Sequence, residues 1–128
     1  MPRKRVLRPT HAEIGILRIL WDRGPSTVRE VWSALEHGRD VAYTTVLTQL
    51  QVMREKGFVA VDDRARSHVY RAKLTEESLQ RKASKELIKS IFRGSASRLM
   101  LQVLSNETPS HDDLLEIRRL IDDMVRKK

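Results

Sequence analysis

Apolar residues recur at three- and four-residue steps along most of the chain, give way once to short β-rich runs, and then return to helical spacing. Thr10-His11-Ala12-Glu13 has the capping-box pattern, Thr at the N-cap and Glu three residues on. It opens a first helix expected to run to about Arg23, with Ile14, Leu17, Leu20 and Trp21 as its buried stripe. Gly24-Pro25-Ser26 stops it. Thr27-Val28-Arg29-Glu30 is a second capping box, followed by Val28, Val31, Trp32 and Leu35 at i, i+3, i+4 and i+7. Gly38 marks the end of that short helix, and Arg39-Asp40-Val41-Ala42 leads into a third, from Tyr43 to Lys56. At 100° per residue Val46, Leu50 and Met53 fall within roughly 60° of one another. Thr44, Thr48, Gln51 and Glu55 take the other side, and Gly57 stands where a left-handed residue is wanted.

Beyond Gly57 the period changes. Residues 58–62 and 67–71 are β-rich and flank Asp63-Arg64-Ala65-Arg66, which predicts a hairpin with two arginines at its tip. Three short helices followed by such a hairpin make a winged helix-turn-helix. From Thr75 the helical period resumes. Leu79, Ala83, Leu87 and Ile91 follow at four-residue steps, widened by Ile88 and Phe92, until Gly94 breaks them. Leu99-Met100-Leu101-Gln102-Val103-Leu104 is apolar nearly all round. After the loop Asn106-Glu107-Thr108-Pro109, Ser110 caps a last helix with Leu114, Ile117, Ile121, Met124 and Val125 on one face.

The expected class is therefore mainly α with a small β-hairpin wing: a winged-helix DNA-binding domain over residues 1–73 and a helical dimerisation arm over 74–128. An all-round apolar segment and two wide stripes are too much surface for about 55 residues to bury alone. A second copy would cover it, through Leu87, Ile91, Leu99, Leu101, Leu114, Ile117, Ile121 and Met124. An arm folded back as a cap on the winged helix is the intramolecular alternative.

Charge changes the picture more than composition does. The 128 residues carry net charge +8. Residues 1–73 hold 14 Lys/Arg against 8 Asp/Glu, net +6, and residues 74–128 hold 11 against 9, net +2. The excess lies in the part of the chain that carries the third helix, which favours double-stranded DNA as partner. The absence of cysteine excludes disulfides, thiolate metal sites and cysteine nucleophiles. His11, His37, His68 and His111 are scattered singly, so no catalytic residues, metal or cofactor are expected. No signal peptide or membrane-inserting segment is expected either, and the expected compartment is the cytoplasm.

On the third helix, Thr44 and Thr45 stand near the N-terminus, placed for phosphate or base contact. The alternative for Thr45 is a helix cap, because Ala42 is a poor one. Thr48 and Gln51 point outward, and Gln51 could pair bidentately with adenine. Leu47 is either a thymine-methyl contact or a core-edge leucine. Arg54 flanks the face at phosphate height. Arg64 and Arg66 are phosphate contacts or a solvated turn, and Arg3 and Arg5 a groove-contacting arm or a frayed tail.

These residues also carry a resemblance. Ile19-Leu20-Trp21 with Gly24-Pro25, Thr27-Val28-Arg29-Glu30-Val31, Tyr43-Thr44-Thr45-Val46 with Thr48 and Leu50, Lys56-Gly57, Val69-Tyr70 and the tail from Leu114 to Ile121 follow one another as they do in the penicillinase-repressor family. The chain resembles these BlaI/MecI-type regulators over nearly its whole length. The resemblance implies a homodimeric repressor on a palindromic promoter operator. It also implies a membrane sensor-protease system that leads to cleavage in the arm, here near Gln102-Val103, where staphylococcal members carry Asn-Phe. The cysteine-rich tail of the copper-responsive branch is absent, and Val52 is apolar where some members have a basic residue facing DNA. Two other readings keep the fold: a protein-protein interaction module, and a DNA-binding regulator released by a small-molecule ligand.

Overall fold

The computed structural model describes residues 8–35 and 40–127. Arg3, Arg5, His37 and Gly38 lie outside them. Two compact units make up the chain, one ending at Arg81 and one beginning at Lys82.

In the first unit, α1 (His11–Arg23), β1 (Ser26–Thr27), α2 (Val28–Leu35), α3 (Tyr43–Lys56), β2 (Val59–Asp62) and β3 (Val69–Ala72) follow in order. The strands form an antiparallel sheet in the order β1-β3-β2. Val61 pairs with Tyr70 and Asp62 with Val69 across the wing, while Ser26 pairs with Tyr70 on its other edge. This is the expected winged helix with one added strand. Two-residue β1 has no periodicity to detect. It exists because Gly24, at φ 88°, turns the chain so that Ser26 meets the wing.

Both capping boxes form. Thr10 and Glu13 exchange hydrogen bonds at 3.2 and 2.9 Å, and Thr27 and Glu30 at 3.2 and 2.8 Å. The core gathers Ile16, Leu17 and Leu20 of α1, Val28 and Val31 of α2, Val46, Leu50 and Met53 of α3, and Phe58, Val59 and Tyr70 of the wing. The α1 stripe needs correction. Ile16 is fully buried, whereas Ile14 and Trp21 are half-buried. Ile16 lies about 40° from Leu20 on the helical wheel and Ile14 about 120° away, so Ile16 completes the stripe. Trp21 is held at the edge because its indole N–H donates to the Leu74 carbonyl at 2.8 Å.

Helix α3 is held at both ends. Trp32 donates its indole N–H to the Val41 carbonyl at 2.7 Å, just before the helix begins. At the other end Gly57 is left-handed at φ 85°, and the Phe58 N–H reaches back to the Met53 carbonyl at 2.9 Å. Lys56, in the last turn, donates to the free oxygen of Glu13 at 2.9 Å, so one carboxylate serves both a cap and an ion pair.

The second unit continues α4 (Glu76–Ser90) and adds α5 (Ala96–Asn106) and α6 (His111–Arg126). Ile91 and Phe92 lie past the end of α4, where Arg93 and Gly94 both turn left-handed and the Gly94 N–H closes on the Ile88 carbonyl. Ser95 caps α5 and Ser110 caps α6. No residue described in α4, α5 or α6 is buried. Leu87, Ile91, Leu101, Leu114, Ile117, Ile121 and Met124 are exposed and Leu99 is half-buried. No described helix is long and apolar enough to cross a membrane.

Burial alone would raise the Glu13 carboxyl, but hydrogen bonds from Lys56 and Thr10 and the Lys56 charge hold it below 4.5. A depressed folded value means that its stabilisation is present above that pH and is lost as the pH falls through the lowered value. Glu13→Gln keeps an acceptor for Thr10 but removes the counter-charge of Lys56. Urea unfolding at pH 7 should show a loss of about 1–3 kcal/mol. The variant should also lose less stability than the parent between about pH 5 and about pH 3.

Candidate nucleic-acid interface

Full burial of Val46, Leu50 and Met53 fixes the rotation of α3 about its axis. The opposite side then has no freedom. Thr44, Thr45, Thr48, Gln51, Val52, Arg54 and Glu55 are all exposed. Leu47 is half-buried and packs on the edge of the core, so it combines a packing role with an accessible edge. The N-cap of α3 is Ala42, and no side chain caps that end. The Thr45 hydroxyl is therefore not spent on capping, and the positive end of the helix dipole is left bare between two exposed threonines.

Tyr43 stands at the start of α3, 39% exposed, with its ring edge-on to Trp32 at 6.0 Å. It borders a groove of about 380 Å³ where α2, α3 and the wing converge. Thr27, Val28 and Arg29 line it from the start of α2, Leu47 and Gln51 from α3, and Arg66, Ser67, His68 and Tyr70 from the wing. Two cations and an amide thus border one cleft, above side chains that are partly apolar. Such a set suits an anionic backbone on one side and a base edge on the other.

The site residues expected from the sequence do not all gather here. Leu47, Gln51 and Arg66 do. Thr44, Thr45, Thr48 and Arg54 share the exposed surface of α3 without lining the cleft. Arg64 does not line it either. Its Nε and Nη2 donate to the two oxygens of Asp62 at 3.0 and 2.9 Å, and its backbone N–H adds a third bond at 3.1 Å. These bonds, the side-chain ones foremost, draw the Asp62 carboxyl down to about 2. Arg66 has no ion pair among the described residues. Arg29 is the functional candidate that sequence reasoning passed over. Its place inside the capping box Thr27-Val28-Arg29-Glu30, in the first turn of α2, is legible in the sequence, whereas its meeting with Gln51 and Arg66 is not.

A family model described as penicillinase repressor matches residues 9–123, from the lead into α1 to within α6. The methicillin resistance regulatory protein MecI of Mammaliicoccus sciuri is 23% identical over 110 residues, covering 86% of this chain and 89% of that protein. MecI of Staphylococcus aureus strain N315 is 22% identical over the same shares. The transcriptional regulator BlaI of Mycobacterium tuberculosis strain H37Rv is 48% identical over 56 residues, 41% of each chain. With the winged helix and most of the three following helices inside the matched span, the chain belongs to the penicillinase repressor family.

Proposed function

We propose that this chain is a sequence-specific DNA-binding transcriptional repressor that acts as a homodimer on a palindromic promoter operator. The observation that carries the reading is the convergence of Arg29, Gln51 and Arg66 on one groove beside the exposed hydroxyl face of α3. In this reading α3 enters the major groove. Thr44, Thr45, Thr48 and Gln51 face base edges or the nearest phosphates, and Arg29, Arg54 and Arg66 bind the flanking backbone. Phosphate contacts supply most of the affinity and are blind to sequence, while Gln51 and the threonines select the site.

Dimerisation through the arm is supported by the apolar faces of α4, α5 and α6, none of whose described residues is buried and whose cover by a second copy would remove exposed leucines and isoleucines from water. The naming of the MecI and BlaI relatives as regulators fits the same reading. Relief by a sensor-protease system would act on the arm. Gln102 and Val103 are exposed but lie inside α5, so cutting between them requires local unwinding and would sever α6.

Fluorescence anisotropy on duplexes carrying single base-pair changes tests the assignment of Gln51. Gln51→Ala should relax preference at one base pair by about 1–3 kcal/mol and leave binding to random DNA nearly unchanged. Equal loss on specific and random duplexes would remove Gln51 from base recognition. Arg29→Ala and Arg66→Ala should each weaken all duplexes alike and lower the slope of log affinity against log salt by about one. An unchanged slope would take the corresponding residue off the backbone.

A further inference from the structure

The tip of the wing carries two arginines, Arg64 and Arg66, and the structure treats them differently. Arg66 reaches the groove and has no ion pair among the described residues. Arg64 is bound by Asp62, the last residue of β2, which stands opposite Val69 as the final pair of the wing. Asp62 engages the Nε/Nη2 edge of the guanidinium through both oxygens and also anchors the Arg64 backbone N–H. That edge of an arginine is one that a phosphate engages in the same two-pronged way. We propose that Asp62 is a built-in competitor for DNA phosphate: it occupies Arg64, so that the tip of the wing meets the DNA backbone with one unpaired cation instead of two.

The inference rests on the DNA-binding reading above and adds to it a limit on sequence-independent affinity. Sequence-independent affinity scales with the number of phosphates neutralised, whereas base readout by α3 does not. Withholding one wing cation therefore lowers binding to specific and random DNA alike, so that a smaller share of the total affinity is blind to sequence. The Arg64 side chain is 89% exposed and that of Asp62 46%. An exposed pair of this kind is weak, so it lowers affinity without abolishing it. The three bonds also hold the loop after β2 in one conformation, which a freely rotating arginine would not.

A double-mutant cycle on the full chain separates this from simple charge effects. Binding of the parent, Asp62→Asn, Arg64→Ala and the double variant to a random-sequence duplex is measured by anisotropy over a salt series. Asp62→Asn keeps an oxygen acceptor for the Arg64 N–H but releases the guanidinium. It should tighten binding about two- to fivefold at fixed salt and steepen the salt slope by about one. The double variant should lose that gain, and Arg64→Ala alone should flatten the slope by less than half of what Arg66→Ala does. Two results would overturn the proposal. One is a full unit of slope lost in Arg64→Ala alone, which means Arg64 already holds DNA. The other is an undiminished gain from Asp62→Asn in the Arg64→Ala background, which means Asp62 merely repels phosphate. Carboxyl NMR gives a check that needs no DNA: the Asp62 midpoint should rise toward the ordinary carboxylate range in Arg64→Ala, and an unmoved midpoint would deny the pair in solution. A parent chain that binds no DNA at low salt would refute the underlying reading, whereas a parent that binds with a flat cycle would refute only the role of Asp62.

Discussion

The face that α3 presents depends on three side chains that never reach it. Val46, Leu50 and Met53 are fully buried, and each contributes about 1.5–3 kcal/mol by leaving water. Their common direction leaves α3 one rotational setting. The Trp32 bond to Val41 fixes where the helix starts. The Glu13–Lys56 pair and left-handed Gly57 fix where it ends. A hydroxyl or amide on the opposite face then needs no further support to be held outward. Rigidity of the scaffold and placement of the contact surface are the same fact seen from two sides.

Around that helix the charges divide by task. Lys56, in the last turn of α3, is committed to Glu13 and belongs to the fold. Arg29 and Arg66 border the groove and have no ion pair among the described residues, which suits them to the phosphate backbone. Arg64 sits at the wing bound to its own carboxylate. Counting basic residues would treat all four alike. Their partners tell them apart: Lys56 and Arg64 are ion-paired, and Arg29 and Arg66 have no ion pair among the described residues.

Much of this was legible in the sequence, and the misses have physical causes. Capping boxes are local patterns with local consequences, so Thr10/Glu13 and Thr27/Glu30 behaved as their spacing required. Ile16 takes the buried place expected for Ile14, because Ile14 lies on the other side of Leu17 from Leu20. Strand β1 could not be read at all, since two residues form a strand only when a distant edge presents itself. The wing was recognised, but its strands are shorter than the β-rich runs, leaving Ser67 and His68 in the exposed loop. Arg29 joins Gln51 and Arg66 through tertiary packing, and linear spacing carries no trace of that meeting. The pairing of Asp62 with Arg64 was within reach, because a carboxylate two residues before an arginine at a strand end is a local turn motif. The apolar stripes of α4, α5 and α6 are plain in the sequence, and no described residue of these helices is buried.

The central claim is that α3 chooses a site while the surrounding arginines supply affinity. Footprinting on the DNA upstream of the gene, repeated over a salt series, tests it most directly. The account predicts a discrete protected site with two-fold symmetry and half-site centres about 34–36 Å apart or a multiple of that. Protection there should persist at salt concentrations that abolish binding to random DNA. Uniform protection along the whole fragment, vanishing everywhere at one salt concentration, would contradict it.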